Sequence, residues 1–262
     1  MKKSLLIVSF LVFTGCNLGV LQNKVRLLFK FPTRDRVDKF FNCLDTYYEL
    51  MSHKYPFNFL ITCDEDDISM NNDVIKKRLE KYENLQVIFG TSASKIDACN
   101  RDMDQAPDFD ILVLVSDDMI PVKSNYNDVI VAEMLKKFPD FDGVLNFNGT
   151  VNGGNLNTLA ILGKKYYQRF NYIYQPDYKS FYCDLEMTIV SKILKKESVV
   201  YNLIIEHQNP AFGKVDADKL FKKNYRYVRS DKKIFLKRLK ERFGLRLFSS
   251  QEKKLITRLI KE

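Results

Sequence analysis

The stretch Asp110-Ile111-Leu112-Val113-Leu114-Val115-Ser116-Asp117-Asp118 decides the fold. Its apolar run, rich in β-branched side chains and bounded by polar residues, reads as a strand buried on both faces. Such a strand belongs to a parallel sheet, and open α/β sheets keep their ligands at the carboxyl ends of the strands. Asp117 and Asp118 stand at that end. Burying an unpaired charge costs several kcal/mol, so two adjacent carboxylates there do not serve packing. Paired carboxylates at such a position are the usual means of holding a hard divalent cation, which in turn neutralises phosphate oxygens. The competing reading is a solvated Ser-Asp-Asp turn that caps the next helix, and the rest of the chain decides between the two.

To the amino-terminal side, short apolar runs alternate with helical patterns. Val25 to Phe31 reads as a first strand, ended by Pro32-Thr33-Arg34. Asp38 to Met51 has a helical stripe at Phe40, Phe41, Leu44, Tyr47, Tyr48 and Met51. Phe57 to Cys63 and Leu85 to Phe89 read as strands, and Asn72 to Tyr82 and Lys95 to Met103 as helices. This β-α-β order predicts an α/β fold, a doubly wound and mostly parallel sheet flanked by helices. To the carboxyl side the pattern predicts a helix over Val129 to Phe138, strands at Gly143 to Phe147 and Leu159 to Leu162, and a loop over Asn146 to Asn157. A Tyr-rich segment follows, then a helix over Leu185 to Lys195 and a strand over Val199 to Ile205 that ends at Glu206-His207.

The net charge of +9 is unevenly placed. From Gly213 to Glu262 there are 17 Lys and Arg against 6 Asp and Glu, whereas the rest of the chain has 25 against 27. From Ile234 onward Phe235, Leu236, Leu239, Phe243 and Leu247 share one helical face, with Arg238, Lys240 and Arg242 away from it. A basic amphipathic helical tail of this kind fits a membrane surface. The interleaved Phe221, Tyr225 and Tyr227 lack an accompanying RNA-binding signature, so no nucleic-acid partner is expected. The five cysteines have no short pairing and lie in apolar stretches, which reads as free thiols in a reducing compartment.

At the amino terminus, Lys2-Lys3 precede the apolar stretch Leu5 to Phe13 and then Thr14-Gly15-Cys16. This pattern is open to three readings: a signal with a lipoprotein-type cleavage site, an anchor over Leu5 to Leu21, or a segment packed on the body. Lys24, Arg26 and Lys30 after the segment favour a body on the cytoplasmic face of a membrane. The expected division is therefore residues 1–23 as that segment, 24–230 as the main domain and 231–262 as the tail.

Taken together, residues 25 to 230 resemble a nucleotide-sugar glycosyltransferase of the GT-A fold, most like glycosyltransferase family 2. The resemblance places Pro32, Thr33 and Arg34 at the family's first-strand turn, and Asp64 where an acidic residue accepts a hydrogen bond from the nucleobase. It places Lys95, Ala98 and Asn100 along the nucleotide pocket, and Ser116-Asp117-Asp118 at the metal-binding D-x-D motif. Asp184-Leu185-Glu186 then stands where the family carries its catalytic base, and His207 where a late histidine completes the metal site. The implied chemistry is inverting transfer of a sugar from a UDP- or GDP-linked donor to a glycan or lipid-linked acceptor hydroxyl. Asp118 and His207 would hold Mn²⁺ or Mg²⁺, Asp117 would contact the donor, and Asp184 or Glu186 would take the acceptor proton. The chain departs from the family in two places. Its lack of Trp removes the Q-x-x-R-W sequence of processive enzymes, which favours single-sugar transfer. The base position also reads Asp-x-Glu instead of Glu-Asp.

Two other classes compete. A GT-A-like nucleotidyltransferase would need a Gly-rich basic loop after the first strand, and Pro32-Thr33-Arg34-Asp35-Arg36 has no glycine. A membrane-tethered, non-catalytic binding protein would rest on the tail alone.

Overall fold

The computed structural model describes residues 25–147, 156–208 and 218–261. The expectations for residues 1–23, for Cys16 and for most of the Asn146 to Asn157 loop lie outside the described residues.

Strands β1 (Leu27–Thr33), β2 (Phe57–Asp64), β3 (Leu85–Gly90) and β4 (Ile111–Leu114) run parallel, side by side in the order β3-β2-β1-β4. They are linked through α1 (Val37–Leu50), α2 (Asp73–Leu79) and α3 (Lys95–Asn100). After β4 come β5 (Met119–Pro121), α4 (Tyr126–Lys137), β6 (Val144–Phe147), β7 (Ile161–Gly163) and α5 (Lys164–Phe170). Then follow α6 (Cys183–Ile193), β8 (Glu197–Val200) and β9 (Ile205–His207). The main sheet is seven-stranded, β3-β2-β1-β4-β7-β6-β8, and β7 alone runs against its neighbours. β5 and β9 form a separate antiparallel ribbon.

Strand alternation divides the interior into two cores. Leu27, Phe29, Phe31, Ile111, Val113 and Val115 face α1 and α4, where Phe40, Phe41, Tyr47, Ile130 and Met134 meet them. Leu28, Leu112 and Leu114 face the opposite layer, with Ile96 and Cys99 of α3 and Met187, Ile189 and Val190 of α6. Both faces of the β4 region are therefore covered, as its unbroken apolar run requires.

The carboxyl-terminal segment corrects the expectation of a tail with a free apolar face. It folds as α7 (Lys219–Tyr225), α8 (Val228–Lys240), a 3₁₀ turn (Arg242–Gly244) and α9 (Ser250–Lys261). Phe235, Phe243, Ile256 and Leu259 are buried in the second core, each removing apolar surface worth about 1.5–3 kcal/mol. Arg238, expected away from that face, turns inward to Glu186. Helical periodicity identified the apolar stripe correctly, but periodicity does not say whether protein or lipid covers it. Among the described residues no helix is long and apolar enough to cross a membrane.

The strand expected over Val199 to Ile205 is two strands. β8 pairs with β6 in the main sheet, the chain leaves it at Tyr201 to Leu203, and β9 joins the β5 ribbon. The cysteines among the described residues, Cys43, Cys63, Cys99 and Cys183, are free and buried.

Gly163 ends the reversed strand under tight constraint. A Cβ there would lie 2.2 Å from the Phe141 carbonyl oxygen and 2.6 Å from its carbon, both fixed backbone atoms. That carbonyl also accepts from the N–H groups of Lys165 and Tyr166, so it cannot retreat freely. Gly163→Ala is expected to destabilise the fold by about 1–3 kcal/mol, read as a lowered midpoint in thermal unfolding.

Candidate active site

The site forms where β4 ends. Ser116 donates a hydrogen bond to Asp118 Oδ1, and the chain turns directly into β5. Pairing of β5 with β9 sets Met119 opposite His207, and the Gln208 N–H donates to the Asp118 carbonyl at 2.7 Å. The ribbon register thus brings His207 Nε2 to 3.6 Å from Asp118 Oδ2. Its Nδ1 lies 3.2 Å from Thr158 Oγ1, a contact that orients the ring.

The Asp118–His207 separation is too long for a hydrogen bond, yet both atoms can reach one ion at about 2.0–2.1 Å. Among the described residues no group of three or more His, Cys, Asp or Glu is gathered for a metal. Two protein donors suit a cation whose remaining positions go to diphosphate oxygens and water. The donor set therefore fits Mn²⁺ or Mg²⁺ bound together with a diphosphate.

Asp117 turns the other way. Its Oδ1 accepts from Arg36 Nη1 at 2.6 Å, and the same guanidinium holds Asp218, 2.9 Å from Nε to Oδ2. The two adjacent carboxyls are driven apart in acidity. Burial pushes Asp117 up to about 6, with the Asp118 charge adding to it and Arg36 opposing. Burial acts on Asp118 too, but His207, Lys95 and Ser116 overcome it and hold that carboxyl well below the usual range.

Lys95 opens α3, behind a Ser94 cap whose Oγ accepts from the Asp97 N–H at 3.2 Å. Its ammonium is accessible to water but walled by acids. Burial lowers its pKa, and the charges of Asp118 and Asp184, among others, more than reverse this. Asp184 lies in the first turn of α6, where burial raises its carboxyl pKa against the Leu185 N–H, Lys95 and His207. Asp118, His207, Lys95 and Asp184 therefore share one polar cleft. One acid there is held ionised and another is raised towards the range useful for proton transfer.

Two residues expected at the site are elsewhere. Glu186 is 3% exposed and points away from Asp184, into the second core. There it receives Arg238 Nε at 2.8 Å, Arg238 Nη2 at 2.6 Å and the Tyr178 hydroxyl at 2.7 Å. Asn100 is a clamp on the Tyr-rich segment, not a pocket wall. Its Oδ1 accepts from the Ile173 and Tyr174 N–H groups, and its Nδ2 donates to the Tyr174 carbonyl.

Pro32 and Thr33 end β1, and Arg34 Nη1 donates to Asp64 Oδ2 at 2.6 Å. The acidic cluster after β2 splits. Asp64 and Asp67 turn inward, while Glu65 and Asp66 stay exposed. Asp67 accepts from the N–H of Asp35, whose left-handed φ of 57° makes the turn after β1. Sequence reading gave no role to Arg36, Arg101, Asp231 or Arg238. An isolated basic or acidic residue has no local signature when its partner lies far along the chain. Asp231, fully buried in α8, accepts from the backbone N–H groups of Lys179, Ser180 and Phe181, the loop that leads into α6.

No family model matches the chain, and no curated protein matches it in sequence. Solved structures do share its fold. The mannosyltransferase PcManGT from Pyrobaculum calidifontis, in complex with GDP-Man and Mn²⁺, matches with a TM-score of 0.53 at 14% identity. The match covers 68% of this chain and 55% of that one, so the chain spans little more than half of PcManGT. S. aureus TarS 1–349 in complex with UDP-GlcNAc matches with a TM-score of 0.60 at 13% identity, over 90% of this chain and 72% of that one. TarS 1–349 in complex with UDP matches with a TM-score of 0.54 at 16% identity, over 69% of this chain and 59% of that one. The fold is of the GT-A type, a mostly parallel seven-stranded sheet flanked by helices.

Proposed function

We propose that the chain is a metal-dependent, inverting glycosyltransferase that moves one sugar from a nucleotide-sugar donor to an acceptor hydroxyl. The observation that carries this reading is the Asp118–His207 pair, set with Lys95 and Asp184 at the carboxyl edge of a GT-A sheet. Support comes from two similar structures, one a complex with GDP-Man and Mn²⁺ and the other with UDP-GlcNAc.

In this reading Asp118 and His207 hold Mn²⁺ or Mg²⁺ against the donor diphosphate, and Arg36 keeps Asp117 oriented beside them. The bound cation neutralises charge on the departing diphosphate. Lys95 adds a second positive charge on the same side, and water is kept out by the surrounding second core. Asp184 accepts the acceptor's proton as its oxygen attacks C1, and a single displacement inverts that centre. Its raised pKa suits a base that has to be ionised yet basic enough to take the proton.

A glycan or lipid-linked acceptor on a membrane surface fits the outward faces of α8 and α9. These expose Lys232, Lys233, Lys237, Lys253, Lys254 and Arg258, a positive surface that attracts anionic lipid without any insertion of the packed apolar face. The corresponding location is the cytoplasmic side of that membrane, where nucleotide sugars are supplied.

The test is nucleotide release from a panel of UDP- and GDP-sugars by the full-length protein with Mn²⁺, with Mg²⁺ and with EDTA. Release that requires metal is the expected result. Neither binding nor turnover of any donor by folded, metal-supplied protein would refute the proposal.

A further inference from the structure

At the carboxyl ends of β1, β2 and β3, three buried polar atoms stand together without hydrogen-bond partners among the described residues: Thr33 Oγ1, Asp64 Oδ1 and Arg101 Nη1. Native folds leave few such atoms unpaired, and a group of them marks a place built for something else to pair with. The two Asp64 oxygens are not equivalent. Oδ2 is taken by Arg34 Nη1 at 2.6 Å, whereas Oδ1 is open. On the β3 side, Arg101 is fixed by its Nη2 on the Cys63 carbonyl at 2.8 Å and its Nε on Asp102 at 3.2 Å. This leaves Nη1 facing Asp64 Oδ1 at 3.6 Å, too far for a hydrogen bond. Gly90 keeps that side narrow but passable, since a Cβ there would stand 3.1 Å from Nη1. On the β1 side, Thr33 is in register with Cys63, the residue before Asp64. An open acceptor on the central strand thus has an open donor on each flanking side.

We infer that this trio reads the base of the donor nucleotide and that the base is uracil. The inference rests on the donor-binding reading proposed above and narrows it from nucleotide sugars in general to uridine diphosphate sugars. Uracil presents a carbonyl, an N–H and a second carbonyl along one edge. Asp64 Oδ1 accepts from that N–H, while Thr33 Oγ1 and Arg101 Nη1 donate to the two carbonyls. Cytosine and adenine place a lone pair on the central ring nitrogen, directly against the carboxylate. Guanine offers two adjacent N–H donors that call for both oxygens of one carboxylate, and here Oδ2 already faces Arg34. A site whose buried polar groups pair with one base rejects the others because those groups are then left unpaired. The side chains that close over the trio part as the base enters.

The test is calorimetric titration of the full-length protein with UDP, CDP, GDP and ADP in the presence of Mn²⁺. UDP is expected to bind at least about 10-fold more tightly than any of the others. Thr33→Val keeps shape and removes one donor. It is expected to weaken UDP several-fold more than the other nucleotides while leaving the unfolding midpoint unchanged. Asp64→Asn replaces the acceptor and is expected to narrow the gap between UDP and CDP. Binding of GDP, CDP or ADP as tight as that of UDP would overturn the uracil assignment and leave the transferase reading intact. So would an equal loss for all four nucleotides in Thr33→Val. Absence of binding by all four would remove the donor reading and this assignment with it.

Discussion

Asp118→Asn is expected to lower metal-dependent nucleotide release by about 10³-fold, or roughly 4 kcal/mol of transition-state stabilisation. The substitution keeps the size of the side chain and a hydrogen-bonding partner for the Ser116 hydroxyl. It removes the negative oxygen that lies 3.6 Å from His207 Nε2, and with it the charged half of the donor pair. The fold is expected to survive, because β4 and β5 are held by strand pairing that the carboxylate does not enter. Far-UV circular dichroism with and without Mn²⁺ checks that point alongside the kinetics. His207→Ala is expected to be milder, since the carboxylate and the donor diphosphate remain. Full activity of Asp118→Asn would remove the metal role from this residue.

Arg238→Ala is expected to be among the most destabilising single substitutions in the chain, at about 3–5 kcal/mol, because it strands the buried Glu186 carboxylate. The Tyr178 hydroxyl alone, at 2.7 Å, cannot compensate for a guanidinium that makes several charged contacts. For a chain of this length the loss corresponds to a fall on the order of 10 °C in the unfolding midpoint. The control is the double variant Arg238→Met with Glu186→Gln. It removes both charges and is expected to recover much of the loss, since a buried ion pair is costly mainly when halved. An Arg238→Ala protein as stable as the parent would show that the pair is exposed in solution.

The first half of the fold was legible because each of its elements states its own periodicity. Ile111 to Val115 is apolar on both faces, and α1 carries its stripe at Phe40, Phe41, Leu44 and Tyr47. The second half was harder because its cues are short or non-local. β5 has three residues, which no pattern of period two can declare. α5 starts after Gly163 without a side-chain cap. The stripe at Phe235 and Phe243 announced burial without saying in what. The site divides in the same way. Asp118, His207 and Asp184 could be singled out because they sit at the ends of recognisable elements. Glu186 and Asn100 could not be told from ligand-facing residues, since their partners, Arg238 and the 173–174 backbone, lie 52 and about 74 residues away. Arg36 and Arg101 illustrate the converse, as basic residues whose importance comes only from the carboxylates that folding brings to them.

The buried contacts of α8 also impose an order on how this protein comes into being. The loop at Lys179 to Phe181 and the helix that carries Asp184 are anchored by Asp231 and Arg238, which the ribosome adds about 50 residues later. At typical rates of synthesis that delay is roughly 2–10 s. During it the nascent chain carries unpaired loop amides, an unpartnered Glu186 and an uncovered second core, a surface suited to holding by a chaperone. Until α8 arrives, Asp184 has no settled position, so a partly made chain has no means of beginning sugar transfer.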